Sequence, residues 1–499
     1  MQKLLSGKGV YVFLIPLFFV LHGYNENFGL IGAGDCLILV FTYLAWSVVI
    51  YLLAWLLFRN LLKAALLTGM LLCFLLFFGA MEDFFKSHLF PLSRYKVILP
   101  GSFILFCILV IYLKKTDRHL DKLSFFLNIL LIVYVLVDIA GIVWKSVDPN
   151  PDKLSIYGIE IKNQYSPCEE CSDPDIYFLL FDEYTSTPNL KQTFHYDNSA
   201  LDSFLLQRGF SIQPYSHGNY NFTPFSMASL LNMNYIRGIK NVSAVTRQDY
   251  AHCNLLIRDN EVIRFLSSRK YEIVNYSIFD LAGNPSLAES SILPAKTRLI
   301  TAQTFYNRVM TDIGWHLFIG NFGMKWFDGN KLYQDLNNNN KILKLLNRES
   351  SLKKKYPRFV YAHLVMPHSP FYYDKNGQLR DTKTLVAEKT GEHLDSYLGY
   401  IPYTTGKLKA LIDTIQKNTD HKAVIVLMGD HGYRGGPGDS THSHYYKNLN
   451  AVYFPDKAYS RFTDSITIVN QFRVIFNTQF KQNLPLLKDS SIFLIDQQD

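Results

Sequence analysis

The sequence predicts an amino-terminal membrane region of about five helices, residues 1–150, joined to an α/β domain over residues 151–499 built on a mainly parallel sheet. Three observations carry this reading. Leu, Phe, Ile and Val crowd the first 150 residues and thin out after Asp148-Pro149-Asn150-Pro151. Five apolar runs within that region approach the ~20 residues that cross a bilayer core. Beyond it, short runs of wholly apolar residues alternate with helical stretches, the pattern of parallel strands buried on both faces.

The apolar runs cover residues 9–24, 36–58, 62–80, 98–113 and 123–144. The first and fourth are the shortest. Lys3 and Lys8 ahead of the first run imitate a signal peptide, but no small-residue cleavage site follows it and four more runs do. Asp35 before Cys36 argues against a lipoprotein site. The runs have little polar face, which separates them from the buried helices of a soluble protein.

Basic residues near the ends of the runs set the orientation. Lys3, Lys8, Arg59, Lys63, Lys114, Lys115, Arg118 and Lys122 fall on one side, against Lys86, Arg94, Lys96, Lys145 and Lys153 on the other. The heavier side is the inner one, so an odd number of spans places residues 151–499 outside the cell membrane, periplasmic where a second membrane surrounds the first. The formal net charge of +8 is largely this topological signal, and a nucleic-acid partner is not implied. Asp138 is a marginal ionisable residue within a span, too little for a transport pathway. Among the cysteines, Cys168-Glu169-Glu170-Cys171 lacks the second pair that a zinc knuckle needs, and in an oxidising compartment a local disulfide is expected.

In the outer domain the expected strands are Ile176–Phe181, Glu272–Tyr276, Phe359–Val365, Ala423–Met428 and Ala451–Phe454, with helices between them such as Asn260–Arg269 and Thr405–Lys417. Reactive groups in open α/β sheets collect beyond the carboxyl ends of strands. Asp182 and Glu183 follow the first strand, Met366-Pro367-His368-Ser369-Pro370 the third, and Gly429-Asp430-His431-Gly432 the fourth. Each motif by itself reads as a cap or a turn. Together, carboxylates and imidazoles at one sheet edge have the chemistry of a divalent metal site.

With these motifs in place, residues 173–490 resemble the alkaline phosphatase and sulfatase superfamily. Its membrane-bound relatives, the lipoteichoic acid synthases and phosphoethanolamine transferases, also resemble the five-span anchor. The resemblance implies an alkaline-phosphatase-like fold and metal binding by Asp182, Asp430 and His431, with Glu183 a less secure ligand. It places the nucleophile about forty residues after the first acid, where Thr223 in Asn221-Phe222-Thr223-Pro224 is the best match and Ser226 and Ser229 are the nearest rivals. Thr223 then both binds the metal, zinc or manganese, and attacks the substrate. His368 resembles the histidine that holds phosphoryl oxygens; His442 and His444 lie where a further metal or substrate histidine can stand.

Sulfatases of the family mature a Cys or Ser within Cys/Ser-x-Pro-x-Arg. The nearest string here, Ser186-Thr187-Pro188-Asn189-Leu190, lacks the arginine. Phosphoryl chemistry on lipid headgroups or on lipid-linked or surface glycans is therefore expected, transferase or hydrolase. The competing readings are a sulfuric ester hydrolase and an inactive binding domain. Two further expectations concern single segments: an amphipathic helix at Val469–Asn477, and a membrane-interface role for the aromatic stretch Phe305–Phe327, with Tyr306, Trp315, Phe318, Phe322 and Trp326.

Overall fold

The computed structural model describes residues 9–116, 120–147, 165–237, 239, 241–288, 297–312, 332–388, 393–436 and 442–496. The chain divides into two compact units. One comprises Met1–Pro151 with Pro294–Lys325, the other Asp152–Leu293 with Trp326–Asp499. Residues 151–499 are thus not one continuous unit, because a piece near residue 300 belongs with the amino-terminal helices.

The first unit holds α1 (Tyr11–Glu26), α2 (Ala33–Phe58), α3 (Leu61–Leu76), α4 (Phe78–His88), α5 (Tyr95–Lys115) and α6 (Asp121–Val147). Three of them, α2, α5 and α6, are long and apolar enough to cross a membrane, and α3 with α4 makes a fourth if the pair, bent by 64°, is one span. The expected count of five is therefore three to four among the described residues. The first apolar run yields only the 16 residues of α1, about 24 Å at ~1.5 Å per residue against a hydrocarbon core of ~30 Å. The third run breaks at Phe77.

Helix α1 is the inner helix of this unit. Its Tyr11, Ile15, Phe19 and Val20 pack with Val40, Leu72 and Leu76. The outer faces of α2, α5 and α6 instead expose Ile38, Phe41, Phe103, Ile104, Val137 and Trp144, an apolar surface suited to lipid. Residues 298–312 dock on the same unit. A side chain at Gly79 would collide with Gln303 Oε1, and the Gly79 N–H donates to the Gln303 carbonyl at 2.8 Å. Arg308 Nη2 donates to Asp83 at 2.7 Å. Phe305 sets its ring 5.4 Å from Phe74 and 5.0 Å from Phe78. Of the aromatic stretch, Phe305 is thus packed on the helices and Tyr306 is exposed; Trp315, Phe318, Phe322 and Trp326 lie outside the described residues.

The second unit is an α/β domain around a six-stranded sheet: β1 (Ile176–Phe181), β2 (Ser211–Ile212), β3 (Glu272–Tyr276), β4 (Arg358–Leu364), β5 (Val424–Met428) and β6 (Asn450–Tyr453), in the order β2-β6-β5-β1-β4-β3. The four central and outer strands β5, β1, β4 and β3 are parallel, while β6 and β2 run antiparallel at one edge. Every residue of β1, β4 and β5 is buried, as continuous apolar runs require of strands covered on both faces.

Two features depart from the expectations. The helix expected at Thr405–Lys417 runs from Leu394 to Asn418. The carboxyl-terminal helix, Ile468–Gln479, is buried along its whole first ten residues rather than amphipathic. Two of its polar side chains are paired: Arg473 donates to the carbonyls of Met233 (2.8 Å) and Pro485 (2.7 Å), and Asn477 to that of Leu484 (2.8 Å). That pairing offsets the cost of burying them, and Phe472 then seats edge-on against Phe178 of the sheet at 5.4 Å. The Cys168–Cys171 disulfide is formed.

Candidate metal centre and active site

Strands β4, β1 and β5 lie side by side and parallel, so their carboxyl ends share one edge of the sheet. Asp182 follows β1 directly, and its N–H donates to the Leu364 carbonyl at the end of β4 (3.0 Å). Gly429, Asp430, His431 and Gly432 follow β5. The two glycines are demanded by packing: a Cβ at Gly429 would stand 2.6 Å from the Tyr184 carbonyl oxygen, and one at Gly432 would collide with that of His444. Because those neighbours are backbone, a side chain could enter only by moving the loop that carries the acid and the imidazole.

Asp182, Asp430 and His431 each present one ligand atom, and those atoms lie within 4.8 Å of one another. All three residues are fully buried. His431 Nδ1 lies 2.8 Å from the Gly432 carbonyl, so the ring proton is assigned there and Nε2 keeps its lone pair. That lone pair faces Asp430 Oδ2 at 3.2 Å. Among the described residues, the buried Asp430 Oδ2 and Asp182 Oδ1 have no hydrogen-bond partner. Two carboxylate oxygens and an imidazole lone pair facing one another in a dry site repel unless a cation sits between them. The donor set, two oxygens and one nitrogen, suits a divalent transition metal.

Thr223 opens the helix Thr223–Asn232, and its Oγ1 lies 3.3 Å from His431 Nε2. Its hydroxyl therefore adjoins the same cluster, at a helix N-terminus whose free N–H groups favour anions. The rival Ser226 donates instead to the Tyr220 carbonyl at 2.8 Å, and Ser229 is buried one turn further on. Ser186 is the N-cap residue of the helix Thr187–Phe194, a local structural position.

Two residues that sequence reasoning missed complete the surroundings. His363, the penultimate residue of β4 and fully buried, sets Nε2 3.0 Å from Asp182 Oδ2. It orients the carboxylate so that Oδ1 remains for a cation, the usual arrangement behind a metal ligand. A histidine in an otherwise apolar strand was the available signal. Arg434, three residues past His431, places Nη2 3.3 Å from His368 Nε2 and its N–H 3.1 Å from Glu183 Oε1.

Charges in this pocket act on one another. Burial would raise the Asp182 carboxyl, but the imidazoles of His368 and of the hydrogen-bonded His363 outweigh it and hold the group well below the usual carboxylate range. Burial would lower His368, and the carboxylates of Asp182 and Glu183 reverse that, leaving it above the ordinary histidine value. His442 and His444 are placed differently. His442 stacks on Phe493 at 4.5 Å, and buried His444 packs its ring edge-on to Phe194 and Tyr445.

Comparison with known proteins adds a likeness over part of the chain. No curated protein matches the chain by sequence. Among solved structures, one from Bacteroides thetaiotaomicron, studied for metabolism of multiple glycosaminoglycans, is 16% identical, with a TM-score of 0.38, and the match covers 61% of this chain and 72% of that one. The periplasmic domain of EcEptC from Escherichia coli is 11% identical, covering 66% and 92%, with a TM-score of 0.38. The phosphonate monoester hydrolase of Agrobacterium radiobacter is 12% identical, covering 62% and 74%, with a TM-score of 0.36. The sulfatase family model matches residues 292–472, the stretch that holds His363, His368, Asp430 and His431. Over residues 292–472, less than half of its length, the chain is similar to the sulfatase family.

Proposed function

We propose that the protein is a metal-dependent phosphoryl-group transferase or hydrolase acting on lipid headgroups or on lipid-linked or surface glycans, with Thr223 as nucleophile. The observation that carries this is the convergence of a buried threonine hydroxyl with three lone-pair donors, Asp182, Asp430 and His431. The missing arginine in Ser186–Leu190 weighs against the modified nucleophile of sulfuric ester hydrolysis.

Asp182, Asp430 and His431 would hold the metal, zinc or manganese, with Thr223 beside them. A bound divalent cation supplies positive charge that favours the alkoxide of a nearby hydroxyl and offsets charge on the transferred group. The residues do the rest. The Thr223 hydroxyl gives up its proton and its Oγ1 attacks phosphorus; the bond from phosphorus to the leaving alcohol breaks, and that alcohol departs with a proton. A hydroxyl of an acceptor, or water, then attacks the same phosphorus and frees Thr223. His363 keeps Asp182 in orientation, and burial of the cluster excludes bulk water from the carboxylates. The purified full chain should release alcohol from phosphoester donors, lose that activity on chelation and regain it with zinc or manganese. Activity untouched by chelation, or seen only on sulfate esters, would sink the reading.

The location proposed is the cell membrane, crossed five times if α1 and the α3–α4 pair each count as a span, with the amino terminus inside and the catalytic domain extracytoplasmic. The Cys168–Cys171 disulfide supports an oxidising compartment. The parity of the count decides the side, since four spans would return the domain to the cytoplasm. Protease added to intact spheroplasts should digest the domain, and complete protection would reverse the orientation.

A further inference from the structure

We propose that Arg434 grips the anionic oxygens of the transferred group, and that Glu183 is its positioning residue rather than a ligand of the cation. The proposal rests on the phosphoryl reading for the identity of the anion, but its geometry stands on this chain alone. Glu183 occupies a left-handed backbone conformation, φ 62°, which a side-chain-bearing residue adopts at a cost. The surroundings over-determine it. Its N–H donates to Asp430 Oδ1 at 3.0 Å, and its carbonyl accepts from the Tyr397 hydroxyl at 2.9 Å. The main chain is thereby tied to a ligand residue on one side and to a buried tyrosine on the other.

So held, the Glu183 side chain turns to Arg434. Its Oε1 accepts the Arg434 backbone N–H at 3.1 Å and lies 3.4 Å from Nε. The carboxylate is 6% exposed and the guanidinium side chain 29%. A buried acid thus anchors a cation whose far end stays open. The guanidinium lies over the Phe222 ring, 5.2 Å from Cζ to centroid, and Phe222 immediately precedes Thr223. Nη2 is 3.3 Å from His368 Nε2. Among the described residues Nη1 has no hydrogen-bond partner.

This arrangement has the chemistry of oxyanion recognition. A planar guanidinium with a free edge matches two oxygens of a tetrahedral anion, and it is always charged. Fixing Nε on a carboxylate and the plane on an aromatic ring removes the rotamer freedom that would otherwise oppose binding. His368 beside Nη2 offers a second group to the same anion. Glu183 is better used here than at the cation, because Asp182, Asp430 and His431 already converge without it.

The test combines phosphate binding, metal content and turnover on the full chain in detergent. Wild type loaded with zinc should bind inorganic phosphate in calorimetry. Arg434→Ala should weaken that binding at least 10-fold and lower kcat/KM for a phosphoester about 100-fold, with metal content and unfolding temperature unchanged; Arg434→Lys should recover part of both. Glu183→Gln should weaken phosphate binding with metal content unchanged, and should add nothing in the Arg434→Ala background, because the two residues act as one unit. Wild-type phosphate binding in Arg434→Ala, or loss of the metal in Glu183→Gln, would overturn the proposal. Absence of phosphoester turnover by wild type would instead sink the function reading, while calorimetry still reports on anion recognition by Arg434.

Discussion

Thr223→Ala is expected to reduce turnover by roughly 10⁴-fold or more, the scale at which removal of a covalent nucleophile is felt in other enzymes. The variant loses the hydroxyl and the γ-methyl, while the helix start remains, with Pro224 pre-setting the first turn. Metal content and unfolding temperature should stay near wild type. Ser226→Ala should cost little turnover, because that hydroxyl is already committed to the Tyr220 carbonyl. Steady-state kinetics on a phosphoester donor, with metal analysis of the same samples, checks both variants. Wild-type activity in Thr223→Ala would remove the nucleophile assignment and leave the metal site standing.

The second large effect is expected at Asp430. Its Oδ2 faces the proposed cation and its Oδ1 holds the Glu183 N–H, so Asp430→Ala removes a ligand and loosens the backbone turn that carries Asp182 and Glu183. Metal affinity should fall by more than about 100-fold, since even partners behind the ligands cost ~10–100-fold when lost. His363→Phe, which removes such a partner of Asp182, should fall inside that smaller range. Competition for zinc with a chromophoric chelator measures both. Equal losses in the two variants would contradict the division between ligand and supporting residue.

The strands that build the site were readable in the sequence because burial on both faces writes them as unbroken apolar runs; β1 and β3 coincide with the expected spans. The residues after β1, β4 and β5 were readable for a related reason, since polar side chains stand out where such runs stop. His363 was not, because a single imidazole within an apolar strand looks the same whether it packs in a core or faces a carboxylate. Arg434 was hidden in the opposite way: a cation past Asp430-His431-Gly432 reads as a solvated loop until Glu183 and His368 are seen beside it. Hydropathy located the helices of the first unit but not which of them are long enough to span, because it measures apolarity and misses the break at Phe77 and the shortness of α1. Nor does it foretell that residues 298–312 pack on Gly23 and Gly79, a contact set by small side chains far away in sequence.

The central claim is that Thr223 attacks phosphorus beside a cation held by Asp182, Asp430 and His431. The most direct measurement is mass spectrometry of the zinc- or manganese-loaded full chain, quenched in acid during turnover of a phosphoester donor and digested to peptides. The account predicts a phosphorus-containing adduct on Thr223, absent without donor and absent from metal-stripped protein. An adduct on Ser226, Ser229 or any other residue, or an adduct that forms equally well without metal, would contradict it.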